Sequence, residues 1–209
     1  MPLQKEQIKK IESTIKESLR KKFLTYHPET SSMPFHYRLL GRDRMALFSF
    51  IHSLNTTFGT SIFEPVAETI ASFKYETAQK QYVVGDRISE KAQVEIQHII
   101  NELTTGKNPD KLEEVERIRK VAIVGKINTL KVVKADLFVQ GRDGEVYLFD
   151  IKTAKPNISN FKDFKRTLLE WIAIYLLKYP DSNIKSCIAI PYNPYEPKPY
   201  ERWTLKGML

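Results

Sequence analysis

The alternation of apolar and polar positions between residues 131 and 155 predicts a β-hairpin. Two alternating runs flank a turn at residues 142–144, whose sequence is Arg-Asp-Gly. A three-residue loop with Gly144 in the left-handed conformation suits this turn, and it pairs Gly141 with Glu145. The pattern therefore predicts both the hairpin and the register of its strands.

The predicted register places two carboxylates opposite each other. Away from the turn, Asp136 faces Asp150, and Lys152 follows on the same face of the hairpin. A two-residue loop would shift the pairing by one position and turn Asp136 toward the core, so we reject it. The other face is apolar throughout and is predicted to be core; its residues are Val133, Ala135, Leu137, Val139, Tyr147, Phe149 and Ile151.

Facing carboxylates on neighbouring strands repel each other unless a cation or solvent offsets their charge. One or two carboxylates, completed by waters and substrate phosphates, is an arrangement that Mg²⁺ favours. Lys152 can orient or deprotonate a water molecule there and offset charge on a pentacovalent phosphate. The structural alternative is a solvated hairpin face with an ordinary ion pair between Asp150 and Lys152.

Apolar residues recur at helical spacing in several other segments. The helices predicted from this spacing are residues 3–24, 43–56, 89–104 and 160–179, and a short charged helix with a solvated face is predicted at residues 109–120. Continuous apolar runs predict strands at residues 121–127 and 184–190. Residues 27–34 are predicted to be a loop, and residues 76–88 are polar and poorly patterned.

The predicted order of helix, three strands, helix and strand indicates an α/β fold. The central β-sheet should be mixed and flanked by helices, because the last strand follows a helical crossover. Residues 1–57 are predicted to form an N-terminal helical region of the same domain, and residues 58–209 its core. The first helix combines a narrow apolar stripe with basic faces. The stripe is predicted to pack on the domain, with a subunit contact or a DNA-backbone contact as alternatives.

A turn at Gly59 followed by a helix is predicted to carry a glutamate with a special role. Ser61 and Glu64 have the spacing of a capping box, which is the structural explanation for Glu64. Pro65 weakens that explanation, because it would fall where the first intrahelical N–H is needed. Glu68 lies four residues after Glu64 and would share a helix face with it.

Composition narrows the class of protein. The 209 residues suit one domain, and the net charge of +8 favours a polyanionic partner such as nucleic acid. Cys187 is the only cysteine, so no intramolecular disulfide can form and a cytosolic (cytoplasmic) setting is expected. No apolar run approaches the roughly 20 residues of a membrane span, and no signal peptide is recognisable. The chain stops at Leu209 without a clear terminating element, so we expect a chain shortened at its C-terminus.

The hairpin residues also resemble a known signature. Asp136, followed after a short gap by Asp150-Ile151-Lys152, resembles the PD-(D/E)XK nuclease motif, with Ala135 in place of its proline. The wider segments PFHYRLLG, FGTSIFEPVA, KADLFV, FDIKTAKPN and PYNPYEPKPYERWTLKG together resemble the TdeIII-type family of type II restriction endonucleases. This resemblance covers most of the chain from about residue 30 onward.

The resemblance implies an αβββαβ core, with the helices before residue 58 as a family-specific addition. It implies Mg²⁺-dependent hydrolysis of double-stranded DNA at a short palindrome, GC-rich and of the GGNCC kind, leaving a 5′-phosphate and a 3′-hydroxyl. A homodimer would place one active site on each strand. The alternatives are a structure-selective nuclease, such as a junction resolvase or repair nuclease, and a non-catalytic DNA-binding module.

The resemblance also assigns roles to the site residues. Asp136, Asp150 and the Ile151 carbonyl would bind the metal, and Lys152 would position or activate the attacking water. In many nucleases of the superfamily, a glutamate on a helix before the sheet completes the metal site. By position this is Glu64, and Glu68, the other glutamate on that predicted helix face, is held in reserve.

Overall fold

The computed structural model describes most of the chain, as two compact units. The described residues are 3–27, 34–152, 157 and 160–200, apart from the side chains of residues 34, 55–57 and 60. Parts of the segments FDIKTAKPN and PYNPYEPKPYERWTLKG lie outside them. The units are Met1–Phe73 and Lys74–Leu209, called here the N-terminal and C-terminal units. The prediction that residues 58–73 belong to the nuclease core stays a prediction.

The N-terminal unit is helical. Its elements are α1 (Lys5–Thr25), α2 (Pro34–Leu40), α3 (Arg42–Thr57), a π-helical turn (Phe58–Phe63) and α4 (Glu64–Ala71). Helices α1 and α3 were predicted, whereas α2 was not. The apolar stripe of α1 is half-buried at Ile11, Ile15 and Leu19 and more exposed toward its ends. Contacts with α3 include the ring of Phe50, which packs against Phe23 and Tyr26.

The prediction of a turn at Gly59 is wrong. The chain passes from α3 through the π-helical turn into α4, and Phe63, the residue before α4, also has helical dihedral angles. The N-cap residue of α4 is Phe63, which makes no side-chain cap hydrogen bond, so Ser61 is not the N-cap of a capping box with Glu64. Pro65 is among the first residues of α4, directly after the π-helical turn.

The C-terminal unit is an α/β fold with a mixed sheet, as predicted. Its elements are β1 (Thr77–Ser89), α5 (Glu90–Thr104), α6 (Lys111–Val121), β2 (Ile127–Gln140), β3 (Val146–Ile151), α7 (Phe161–Lys178) and β4 (Ile184–Ala189). The strand order is β1-β2-β3-β4. Strand β2 pairs antiparallel with both β1 and β3, whereas β4 lies parallel to β3 after the α7 crossover. No helix in the described ranges is long and apolar enough to cross a membrane.

Two elements of this unit differ from the prediction. The strand predicted at residues 121–127 is wrong, because α6 runs through Val121 and a turn follows it. The polar segment 77–89 instead forms β1, the first strand of the sheet. The side chains of this strand are polar and largely exposed, so its sequence gives no strand signal. Its pairing with β2 is what holds it in the sheet. The two helices α5 and α6 therefore lie between the first and second strands.

The core fills the space between the sheet and the helices α5, α6 and α7. Its fully buried residues include Ile88, Ile96, Ile100, Ile118, Leu148, Ile172, Leu176 and Ile184. The predicted apolar face of the hairpin is buried at four positions and half-buried at Val133, Tyr147 and Phe149. The expectation of a single core face is wrong, however. Phe138 and Leu148, on the face that carries Asp150, join the core as well.

Candidate active site

The hairpin turn positions the candidate site and has the predicted form. The N–H of Gly141 donates to the carbonyl of Glu145 at 2.8 Å, and Gly144 has φ +80°. Strand pairing runs from Gln140–Val146 to Leu137–Phe149. The three-residue loop and the strand register are therefore confirmed.

If the register is continued by one residue beyond the Leu137–Phe149 pair, Asp136 lies opposite Asp150. Asp136 is half-buried, and its Oδ2 accepts a hydrogen bond from the N–H of Ile151 at 2.7 Å. Asp150 is only 6 % exposed. The structure thus brings both predicted carboxylates together, next to the main chain of the third predicted ligand, Ile151.

Lys152 lies in the same group of residues. Its Nζ is 2.7 Å from Oδ1 of Asp150 and 4.8 Å from the centre of the Phe164 ring in α7. The N–H of Lys152 donates to the carbonyl of Ala189 at 3.0 Å, so β4 fixes the backbone at this position. The lysine side chain keeps 30 % of its surface exposed, so it is not fully buried at the site.

The two carboxylates influence each other electrostatically. Burial raises the pKa of Asp136, and the nearby Asp150 carboxylate raises this pKa further. The hydrogen bond from Ile151 and the charge of Lys152 act in the opposite direction. The charged form of Asp136 is therefore disfavoured on balance, and a divalent ion bound beside it would stabilise that form.

The donor set fits a hard divalent cation. Two carboxylates and a backbone carbonyl offer oxygen ligands, which suit Mg²⁺ and Mn²⁺ and lack the thiolates and imidazoles typical of zinc sites. Among the described residues, no group of three or more His, Cys, Asp or Glu side chains is arranged to hold a metal. Waters, substrate phosphate or a further side chain would have to supply the remaining ligands.

Glu64 and Glu68 lie in the N-terminal unit, on α4. Glu64 is its first residue and is 2 % exposed, whereas Glu68 is half-buried. The hairpin carboxylates belong to the C-terminal unit. Completion of the metal site by Glu64 therefore stays a prediction, and so does the choice between the two glutamates.

Sequence reasoning missed the contribution of α7 to the site. Phe164 lies within the helix predicted at residues 160–179, whose apolar stripe was expected to be buried, and no local signal marked it as a partner of Lys152. It also missed a buried ion pair between Lys165 of α7 and Glu114 of α6, residues that are 3 % and 4 % exposed. One signal existed, since Lys165 follows Phe161 by four residues and so lies on the apolar stripe.

Paired carboxylates and a lysine at the end of a hairpin in a mixed α/β sheet are typical of metal-dependent nucleases. Comparison of the sequence with known families also indicates a nuclease. The chain belongs to the HinfI family of type II restriction endonucleases, whose sequence model matches residues 3–209. The prediction of a type II restriction endonuclease family is confirmed, although the motifs had been assigned to the TdeIII-type family.

Several curated relatives are type II restriction enzymes. HgiEI and HgiCII of Herpetosiphon aurantiacus are each 30 % identical over 166 residues, covering 78 % of this chain and 59 % of the relative. MjaII of Methanocaldococcus jannaschii is 27 % identical over 216 residues, covering 94 % of this chain and 56 % of the relative. The chain thus spans less than two thirds of these relatives. No solved structure matches it.

Proposed function

We propose that the protein is a divalent-metal-dependent endonuclease that hydrolyses double-stranded DNA at a short palindromic site. The observation that carries this proposal is the grouping of Asp136, Asp150 and Lys152 at the end of the β2–β3 hairpin. Membership of a restriction endonuclease family supports the same reaction, and the net charge of +8 suits a polyanionic substrate.

Mg²⁺ is the proposed metal, held by Asp136, Asp150 and the Ile151 carbonyl. A bound Mg²⁺ would polarise the scissile phosphate and make a water molecule more acidic. Asp136 is suited to this role because the Ile151 N–H already fixes one of its oxygens. The half-buried setting reduces competition from bulk water and strengthens the attraction between carboxylates and cation.

Lys152 is proposed to orient the attacking water and to offset negative charge on the phosphate. An ammonium has three N–H donors and no acceptor. Asp150 engages this ammonium at 2.7 Å, which leaves donors for the water and for a phosphate oxygen. Attack of water on phosphorus would break the bond to the 3′-oxygen, which leaves with a proton, giving a 5′-phosphate and a 3′-hydroxyl.

Glu64 is proposed to complete the metal site, directly or through a water molecule, with Glu68 as the alternative. Its support is chemical and positional. A carboxylate that is 2 % exposed on a helix preceding the sheet is costly to bury, so a function or a specific partner is expected for it.

The target is proposed to be a GC-rich palindrome of the GGNCC kind, cut by a homodimer. A palindrome presents the same sequence on both strands, so two copies related by a two-fold axis would place one active site at each scissile bond. Both the target and the dimer rest on family resemblance, and they can be tested separately from the chemistry.

Cleavage of plasmid DNA in the presence of Mg²⁺ tests the proposal. The expected result is a set of discrete fragments whose ends carry a 5′-phosphate, and sequencing these ends would reveal the target. Cleavage restricted to branched substrates would instead indicate a structure-selective nuclease. Binding without any cleavage would indicate a DNA-binding module, and either result would contradict the proposal.

A further inference from the structure

The ammonium of Lys152 is held from two sides. Oδ1 of Asp150 lies 2.7 Å from its Nζ, and the centre of the Phe164 ring lies 4.8 Å from it. The second distance is within the range of a cation–π contact, which extends to about 6 Å from a ring centre. The lysine therefore has an aromatic partner that belongs to a different element, the helix α7.

The position of Phe164 is itself well fixed. Its ring meets that of Phe161 edge-on, with centres 5.5 Å apart and planes at 88°, and Phe161 is 2 % exposed. The next residue, Lys165, forms the buried ion pair with Glu114 of α6. These contacts tie the first turns of α7 to the core, so the ring offers a rigid surface to the lysine.

We propose that Phe164 is a positioning residue for the nuclease reaction, acting through Lys152. The ring face and Asp150 together contact two sides of the ammonium and leave N–H donors for the water and for a phosphate oxygen. Without the ring, the flexible four-carbon stem would regain rotamer freedom and the ammonium would spend less time beside Asp150. This inference rests on the proposed function.

A packing role for Phe164 is the competing explanation, and the two differ in their physical origin. A cation–π contact depends on the negative charge at the ring face, whereas packing depends on the shape of the side chain. Fluorine atoms on the ring withdraw that charge and change the shape little. A series of phenylalanines with increasing fluorination therefore separates the two roles.

The experiment incorporates mono-, di- and trifluorophenylalanine at position 164 and measures kcat, KM and the melting temperature. We expect kcat to fall stepwise with fluorination, by about tenfold at the end of the series, with little change in KM or melting temperature. Phe164→Tyr should retain nearly full activity, and Phe164→Leu should resemble the most fluorinated variant. Equal kcat across the fluorinated series would overturn the proposal.

The same analogues at Phe149 provide the matched control. This residue is adjacent to Asp150 in sequence, but its ring stacks on Tyr147, with centres 6.0 Å apart. It is therefore sensitive to general disturbance of the hairpin without contacting the ammonium. The same stepwise loss of kcat at Phe149 would also count against a specific role for Phe164.

A second readout does not depend on activity. The ¹⁹F resonance of fluorophenylalanine at position 164, recorded without metal or DNA, should shift in the Lys152→Met variant, which removes the charge and keeps a long side chain. Lys185→Met, at the opposite end of the sheet, should leave the resonance in place. An unchanged resonance in Lys152→Met would overturn the contact, whereas an inactive wild-type protein with a shifted resonance would refute only the proposed function.

Discussion

The main-chain N–H of Ile151 donates to Oδ2 of Asp136 at 2.7 Å, which joins the side chain of one strand to the backbone of the next. The donor, Ile151, stands between Asp150 and Lys152 in the sequence. A slip in strand register would break this hydrogen bond and would also separate the two carboxylates. The geometry of the candidate site is therefore a direct consequence of the hairpin register.

Substitution of Asp150 or Lys152 should abolish cleavage without unfolding the protein. We expect Asp150→Ala and Lys152→Ala each to retain DNA binding and the circular dichroism spectrum of the wild type. Their cleavage rates should fall by orders of magnitude, because both side chains are proposed to act on the reacting groups. Plasmid cleavage under single-turnover conditions measures this loss.

Lys185→Ala is the control for the lysine substitution. Lys185 also belongs to the sheet and pairs with a carboxylate, that of Glu145, at 2.6 Å, but it lies at the opposite end of the strands. Its removal should leave cleavage unchanged. Activity of Asp150→Ala or Lys152→Ala within about tenfold of wild type, a difference of ~1.4 kcal/mol in the barrier, would contradict the assigned roles.

The identity of the metal can be tested by exchange. Mg²⁺ and Mn²⁺ should support both DNA binding and cleavage, whereas Ca²⁺ should support binding with little cleavage. The proposed ligands are all oxygen atoms, which bind each of these cations. Ca²⁺ is larger than Mg²⁺ and does not adopt the same compact geometry, so it should support cleavage poorly. Gel-shift and cleavage assays on one DNA fragment separate the two effects, and full activity in excess EDTA would rule out the metal hypothesis.

The hairpin could be predicted from sequence because its determinants are local. The alternation of side chains and the Arg-Asp-Gly turn fix the register, and the register alone brings Asp136 opposite Asp150. The polar strand β1 could not be predicted in this way, because its pairing with β2 is a tertiary property. For the same reason Phe164, which is distant in sequence from Lys152 and on another element, gave no signal.

The π-helical turn before α4 is a second case of tertiary context overriding a local signal. Gly59 suggested a turn, yet it continues a helix, and the free helix N-terminus expected beside Glu64 does not exist. A free N-terminus there would have carried the positive end of a helix dipole, which favours phosphate, so the continuous helix removes this reason for choosing Glu64. What remains for Glu64 is its burial and the exclusion of the capping role.

Glutamine substitutions distinguish the two candidate glutamates of α4. Glu64→Gln should reduce cleavage by orders of magnitude with little change in melting temperature, because glutamine has nearly the same shape but no charge for a metal. Glu68→Gln should have a mild effect. If Glu68→Gln proves inactive, or if Glu64→Gln loses its fold instead of its activity, the metal site is built differently.

The close approach of α7 to β1 predicts a stability defect at Gly85. A Cβ atom at this position would lie 2.6 Å from Cγ2 of Ile174, which is itself 3 % exposed in the core. Gly85→Ala should therefore lower the free energy of unfolding by ~1–3 kcal/mol, the usual cost of overpacking. Urea denaturation measures this change.

Gly59→Ala is the matched control for this substitution. Gly59 lies in the helical segment before α4. Among the described residues, apart from its chain neighbours and the backbone of its own helix, a Cβ atom there would meet no atom within 4 Å. Because alanine restricts the unfolded chain more than glycine does, Gly59→Ala should stabilise the protein by ~0.4–1 kcal/mol. A Gly85→Ala variant as stable as the wild type would show that α7 can move away from β1 without cost.

Helices α5 and α6 are joined by a bidentate ion pair. Nη1 and Nη2 of Arg117 donate to the two carboxylate oxygens of Glu102 at 2.7 and 3.0 Å, and Lys107 donates to the same carboxylate at 3.1 Å. The hydrogen bonds from Arg117, followed by that from Lys107, lower the pKa of Glu102 from 4.5 to about 2. The charged form of Glu102 is therefore favoured in the folded protein.

This depressed pKa predicts a pH-dependent contribution to stability. Since the folded pKa lies below the unfolded one, the contribution is fully present above about pH 4.5 and is lost as the pH falls toward 2. The melting temperature of Glu102→Gln should thus lie below that of the wild type at pH 7 and pH 5, and the difference should narrow at pH 3. The difference in melting temperature between the wild type and Arg117→Met should also narrow at pH 3. Because Arg117 also pairs with Glu95 at 2.6 Å, Arg117→Met should be the more destabilised single variant, and the double variant should lose less than the sum of the two single losses. A difference that stays constant from pH 7 to pH 3 would show that the ion pair is not its source.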